Sequence, residues 1–343
     1  MKLKEIALAD GESVVEIHQL LAGREFARVR SGRDSVTNTV YSTAKSSANF
    51  VYVIVLDGGD SVRSACVIDA AWDCEGILKH CKEQLQVGNV ESVIYTHWHP
   101  DHVGGYFPTS NGGYVSVQGA LTCIDIMDCD VYFGKEELKR VAQMHQLKAD
   151  SPYFKRFQLL TNGEKVTLAK RFDLEIIHTP GHTVGSLCVY LNNRTSPILI
   201  TGDTLFIGNC GRFNDDKEGR KIFQSLALLS TLPENCLVCP GHNYSGSYST
   251  IGNENKYNGA IRQAQKLTGI KRHGANGTSK ATPMVRLPEY LAFAKACAER
   301  VLEAANGEHD RPCKKWYTNE FSRCAGNCFP VIDLKNDRNN CRL

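Results

Sequence analysis

The sequence predicts an α/β fold built from two packed sheet halves, on three observations. Short apolar, β-rich runs alternate with helical patterns over short links, as they do when strands and helices share one domain. Period-2 alternation and strand–helix patterns recur on both sides of about residue 160. Strand after strand also ends in a loop that carries His or Asp, at 97–102, 182, 203 and 242. In α/β sheets, sites gather where such loops converge on a rigid platform.

Taken in order, residues 11–30 mix charged and apolar positions without a clean period, and 31–49, rich in Ser, Thr and Asn, read as a loop. Phe50–Leu56 is an apolar strand, turned at Asp57-Gly58-Gly59-Asp60 into a second strand, Cys66–Asp69, so a hairpin is expected. Trp72–Leu85 carries apolar residues at helical spacing, and Val90–Thr96 is the next strand. A less regular span runs to about 130, followed by a helix over Lys135–Lys148. Asn162–Leu168, Phe172–Ile177, Leu187–Leu191 and Pro197–Thr201 read as strands, Ile222–Leu229 as a helix, and Cys236–Cys239 as a short strand. Beyond 250 the strand patterns stop. Glu254–Leu267 and Pro288–Ala305 read as helices, so the chain divides into an α/β domain, 1–250, and a helical, Cys-containing extension, 251–343.

Charge and hydropathy exclude several partners. A net charge of +3 over 343 residues gives no basis for a nucleic-acid or anionic-membrane surface. No run reaches the roughly 18 apolar residues of a membrane span. Met1–Ile6 has two lysines but no apolar stretch behind them, so a cytoplasmic location is expected. The chain holds 14 cysteines. Cys66, Cys188, Cys236 and Cys239 sit in apolar runs and read as buried free thiols. Cys313, Cys324, Cys328 and Cys341 could form a structural zinc site, a redox-labile tail or ordinary thiols.

The chemistry concentrates in Thr96-His97-Trp98-His99-Pro100-Asp101-His102, directly after a strand. Imidazoles and a carboxylate in that register are the donor types that borderline divalent metals accept. Three later segments supply more: Thr179-Pro180-Gly181-His182-Thr183, Thr201-Gly202-Asp203-Thr204-Leu205-Phe206 and Pro240-Gly241-His242-Asn243-Tyr244. His178, His145 and His273 have no such company and read as core or surface histidines. Asp69, at the second strand's end, reads either as a turn residue or as a brace for the His97 loop. N-glycosylation patterns at Asn193, Asn243 and Asn276 carry no weight in an intracellular protein.

In this order, the H-x-H-x-D-H, T-P-G-H-T, T-G-D-T-L-F and P-G-H-x-Y motifs resemble the metallo-β-lactamase superfamily, in the branch of glyoxalase II and persulfide dioxygenase. The resemblance runs from about 50 to 250 and implies a four-layer αββα sandwich. It implies that His97, His99 and His182 hold one metal and Asp101, His102 and His242 another, with Asp203 between them. Two divalent ions follow, zinc first, with iron or manganese as the other choices. Together they would acidify a water for attack on a carbonyl, and Asp101 could also orient that water. The resemblance further implies a glyoxalase II-like thioesterase acting on an S-acyl-glutathione or a similar small-molecule thioester. Arg212 and Phe213 of Cys210-Gly211-Arg212-Phe213, with Tyr244, would contact the thiol carrier.

The chain departs from the glyoxalase II pattern at Asn214, where that family has Tyr, in lacking the family's C-terminal basic segment, and in its long span between His102 and His182. The alternatives are a persulfide dioxygenase with one iron on His97, His182 and Asp203, or a lactonase of the same superfamily. A nuclease is disfavoured by the charge balance, and a non-catalytic scaffold by the intact donor set.

Overall fold

The computed structural model describes residues 1–270 except 9–12, 59–61, 109–111 and 194. Its first half contains β1 (Lys2–Ala7), β2 (Val14–Leu21), α1 (Ser35–Ser47), β3 (Phe50–Asp57), β4 (Ser64–Ile68), α2 (Cys74–Gln84) and β5 (Asn89–Tyr95). There follow the one-turn α3 (Pro100–Val103), the hairpin β6 (Gly105–Pro108) and β7 (Tyr114–Val117), α4 (Ala120–Met127), β8 (Asp130–Gly134), α5 (Leu138–Met144) and β9 (Phe157–Leu160). The sheet order is β1-β2-β3-β4-β5-β8-β9, antiparallel as far as β4 and parallel from β4 to β9.

The second half contains β10 (Lys165–Leu168), β11 (Phe172–His178), β12 (Leu187–Leu191), β13 (Ile198–Gly202), the small hairpin β14 (Leu205–Phe206) and β15 (Asn209–Cys210), and α6 (Asp216–Leu229). It closes with β16 (Leu237–Pro240), β17 (Ser249–Thr250), α7 (Ile251–Tyr257) and α8 (Gly259–Thr268). Here the order is β10-β11-β12-β13-β16-β17. The division between the sheets falls between β9 and β10, at the expected position near 160.

Three apolar layers make this a four-layer αββα sandwich. Alternate residues of β3, Tyr52 and Ile54, face Leu174, Ile176 and Val189 of the other sheet, and this middle layer is fully buried. The opposite face of β3, Val51, Val53 and Val55, packs with Tyr41 and Ala44 of α1, Ile77 of α2 and Cys123 of α4. On the far side, Ile177, Cys188 and Leu199 pack with Ile222 and Leu226 of α6 and Ile261 of α8. Strands covered on both faces need near-continuous apolar sequence, which is why β3 and β13 read as runs and not as alternations. Cys66, Cys188, Cys236 and Cys239 are buried free thiols, as their apolar settings implied.

Several elements correct the sequence expectation. Residues 35–47, expected as loop, are helix α1. Asp34 caps it, accepting from the Thr37 amide at 2.8 Å. The hydroxyls of Thr39, Thr43 and Ser46 donate to carbonyls one turn back, so polar residues that usually favour loops are satisfied within the helix. Val40, Tyr41 and Ala44 then supply a buried stripe. Residues 14–21, which show no clean period, form β2. The irregular span before 130 contains β6, β7 and α4, and β8 ends it. The helix expected over 135–148 is a 3-10 turn leading into the shorter α5.

The helix expected over Glu254–Leu267 is broken at Asn258, whose side chain caps α8 while its amide reaches the Phe206 and Asn209 carbonyls. Both α7 and α8 contribute to the core layer that α6 covers. The helix expected at Pro288–Ala305, the cysteines 313, 324, 328 and 341, and His273 lie outside the described residues. Among the described residues, no helix is long and apolar enough to cross a membrane.

Candidate metal centre

Four strands deliver the centre, each at its C-terminal end. β5 leads into His97, His99, Asp101 and His102; β11 leads to His182, β13 to Asp203 and β16 to His242. Within the second sheet β11 and β13 both run antiparallel to β12, and β13 runs parallel to β16, so their ends share one edge. Two glycines permit the close approach. Gly202 holds φ +48, and a Cβ there would lie 2.4 Å from Thr96 Oγ1. A Cβ on Gly241 would come within 2.5 Å of Asp203 Oδ1.

The seven expected donors are brought together in two groups. His97 Nε2 lies 2.9 Å from His99 Nδ1, which lies 3.0 Å from His182 Nε2. His102 Nε2 and His242 Nε2 are 3.1 Å apart, with Asp101 Oδ2 at 3.6 and 3.5 Å from them. Asp203 faces both groups: Oδ1 lies 3.4 Å from His102 Nε2 and 3.3 Å from His242 Nε2, while Oδ2 lies 3.6 Å from His182 Nε2. Donors about 2.0–2.1 Å from a tetrahedral zinc stand roughly 3.3 Å from one another. The groups therefore have the spacing of ligand sets.

The outer nitrogens of these rings are tied to the fold. His182 Nδ1 is 2.8 Å from the Arg212 carbonyl and His242 Nδ1 is 2.7 Å from that of Ser47; only a protonated Nδ1 can bond there, so in the neutral ring, the form that ligates a metal, Nε2 presents its lone pair inward. His102 Nδ1 lies 3.0 Å from Asp69 Oδ2. Thr96 Oγ1 donates to the same carboxylate oxygen at 2.8 Å and sits 3.1 Å from His97 Nδ1. Asp69 thus braces a member of each group, which is the arrangement that fixes ring tautomers around a metal.

Electrostatics separates the two groups. Burial, then the neighbouring imidazoles, holds His97 well below the usual histidine range, and burial with His182 beside it lowers His99 to about 3. Burial lowers His182 as well. Burial also opposes charge on His102, but Asp101, Asp203 and Asp69 together outweigh it and push that ring up to about 10. Asp203 stays well below the usual carboxylate range because His242 and His102 outweigh its burial. The first group is three neutral nitrogens and the second is richer in carboxylate.

Asp203 Oδ1 is buried without a hydrogen-bond donor of its own. A buried anionic oxygen in that position calls for positive charge, which the raised His102 ring supplies in the metal-free centre and a bound cation would replace. The residues fit divalent metal ions, and His97, His99 and His182, with Asp101, His102 and His242, could hold them around Asp203.

Of the expected substrate contacts, Tyr244 stacks on His242 with ring centroids 4.7 Å apart and planes 7° apart, and is 54% exposed. Arg212 holds His182 through its backbone and is exposed. The Phe213 ring lies against α6, 5.9 Å from Phe223. His178 is bonded to the Val184 carbonyl and His145 to that of Val103, and neither belongs to the donor groups. The residues that sequence reasoning missed are supports. Glu137, fully buried, accepts from Thr183 Oγ1 and the Gly185 amide, both at 2.6 Å, and secures the loop after His182. Asn49 contacts Asp101. Neither has a spacing signature, because a single amide or carboxylate far along the chain looks like any other.

A family model for the metallo-beta-lactamase superfamily matches residues 47–242, which include every one of these donors. The chain belongs to that superfamily. A hydroxyacylglutathione hydrolase of Salmonella arizonae is 28% identical over 197 residues, 57% of this chain and 62% of that protein. A probable hydroxyacylglutathione hydrolase of Schizosaccharomyces pombe is 24% identical over 221 residues, 64% of this chain and 73% of its own length. The chain thus spans under two thirds of the Salmonella protein. A solved metallo-beta-lactamase from Staphylococcus aureus aligns with a TM-score of 0.48 at 19% identity, covering 72% of this chain and 67% of that one.

Proposed function

We propose that this superfamily member is a metal-dependent thioesterase of the glyoxalase II kind, hydrolysing an S-acyl-glutathione or a closely similar thiol ester. One observation carries the hydrolase reading: two groups of donors meet across Asp203, which turns one oxygen to each. That arrangement suits a pair of divalent ions, with zinc proposed first and iron or manganese as alternatives. Bound there, the ions supply an acidified water near neutral pH and a Lewis acid for the thioester carbonyl.

The chain's own residues do the rest. Asp101, a carboxylate at the second group, is placed to accept a hydrogen bond from the attacking water and so orient it. The Tyr244 face, stacked on His242 and open to solvent, gives the substrate an apolar surface beside the reacting centre. The Arg212 guanidinium, on the loop that anchors His182, can pair with a carboxylate of the thiol carrier, and Phe213 pins that loop to α6. The hydroxyacylglutathione hydrolases among its relatives support the choice of carrier.

Metal analysis of the purified protein, with turnover of S-2-hydroxyacyl-glutathione thioesters, tests the reading. About two divalent ions per chain and thioester hydrolysis are expected. One iron per chain with oxygen uptake on a glutathione persulfide would replace it with the dioxygenase reading. Arg212→Ala should raise KM for a glutathione thioester about tenfold, the loss of roughly 1.4 kcal/mol of a charge-assisted contact, and leave KM for a small neutral thioester unchanged. Equal changes for both substrates would show that Arg212 does not read the carrier.

A further inference from the structure

Asp101 is held by a neighbour whose orientation is dictated from behind. Asn49 follows the end of α1, where Ala48 takes a left-handed φ of 53°, and it opens onto β3. Its backbone is fixed on more than one side: its carbonyl accepts from the Ala22 amide at 3.1 Å, and it forms an isolated bridge with His242. The side chain is 2% exposed. Its Nδ2 lies 3.2 Å from Asp101 Oδ2, 3.1 Å from the Asp101 carbonyl and 3.4 Å from His102 Nε2. Its Oδ1 lies 3.0 Å from Trp72 Nε1.

An indole nitrogen is only ever a donor, so the amide oxygen of Asn49 must face Trp72. The NH2 group must then face Asp101, and the ambiguity that usually attends an amide is removed by chemistry. Trp72 cannot move away: it is 1% exposed, its ring lies 5.1 Å from Phe107, and its amide donates to the Gln118 carbonyl at 3.0 Å. Asp101 Oδ2, the oxygen turned to His102 and His242, therefore receives one hydrogen bond from a fixed donor and keeps its remaining lone pair for the centre.

We infer that Asn49, locked by the Trp72 indole, is a positioning residue that holds Asp101 in the Asp101–His102–His242 group and thereby sets the affinity of that group for its metal. The inference rests on the two-site reading above. It reaches the other group only weakly, since neither Asn49 nor Trp72 contacts His97, His99 or His182 among the hydrogen bonds of the described residues.

The test is zinc titration of the metal-free protein against a chromophoric chelator, comparing wild type, Asn49→Leu and Trp72→Phe. Trp72→Phe keeps an aromatic ring against Phe107 and deletes the N–H, so it reports on the lock even where Asn49→Leu folds poorly. Wild type should bind two equivalents. In both variants one equivalent should weaken by about 10–100-fold, the usual cost of losing an orienting partner, and the other should stay within about twofold. Two equivalents bound by the variants as tightly as by wild type, or both weakened in parallel, would overturn the inference and leave the two-site reading standing. A wild type that binds one equivalent would overturn both.

Discussion

Asp203→Asn is expected to strip both metal groups at once and to lower kcat/KM by on the order of 1,000-fold, about 4 kcal/mol of transition-state stabilisation. The substitution keeps size and shape, so the fold should survive. What changes is the charge and one oxygen. In the native chain Oδ1 faces His102 and His242 while Oδ2 faces His182, and Oδ1 is buried without a donor of its own. An asparagine must turn its NH2 to one of these two places. Either way one group meets a donor where it needs an acceptor, and both lose the negative charge that would offset two bound cations. The loss should exceed the 10–100-fold typical of an outer partner. Dialysed variant protein should retain well under one metal per chain, and added zinc, expected to raise the melting temperature of wild type, should leave that of the variant unchanged. A variant that kept two ions and activity within tenfold of wild type would remove Asp203 from between the groups.

The same residue shows why so much of the centre is legible in the sequence. His97, His99, Asp101 and His102 sit within six consecutive residues, across the turn from β5 into α3, so their chemistry is a local pattern. Asp203 and His242 are single residues, yet each ends an apolar run at a Gly-containing turn, and that punctuation survives in sequence. The two-sheet division is legible for a similar reason: β3, β12 and β13 are buried on both faces and leave continuous apolar runs.

What cannot be read is how the folded chain satisfies its polar groups. Thr39, Thr43 and Ser46 look like loop residues until their hydroxyls are seen to bond within α1. α4 is hidden because Ala120–Met127 is apolar almost throughout and shows little helical periodicity, its buried residues Cys123, Ile124 and Met127 belonging to the same core layer as Tyr95 of β5. Asn49, Glu137 and the carbonyls of Ser47 and Arg212 act at long sequence separation through hydrogen bonds, a relation no spacing rule encodes.

In sequence Asp69 is open between turn residue and brace, and the structure gives it both properties. Its φ of 58° lies in the left-handed region, which Asp and Asn tolerate better than other side chains. Its carboxylate accepts from the Thr96 amide at 2.7 Å, from Thr96 Oγ1 at 2.8 Å and from His102 Nδ1 at 3.0 Å. Asp69→Asn and Asp69→Ala should therefore fail differently. Asparagine keeps the backbone conformation and can accept from the Thr96 amide, but its NH2 then stands where Oδ2 was. There it opposes the His102 Nδ1–H and favours a ring protonated at Nε2 alone, the nitrogen that faces His242 and Asp203.

One lone pair is lost from the Asp101–His102–His242 group, so zinc titration should show its equivalent weakened by at least tenfold and thioester turnover reduced in parallel. Urea unfolding of the metal-free Asp69→Asn variant should change little by comparison. Alanine removes every acceptor, leaves buried donors unpaired at about 1–3 kcal/mol each, and adds about 1–2 kcal/mol of left-handed backbone strain. It should lose several kcal/mol in the same urea experiment. If the Asp69→Asn protein bound both equivalents like wild type, His102 would not depend on Asp69 for its tautomer, and the brace would reduce to the turn.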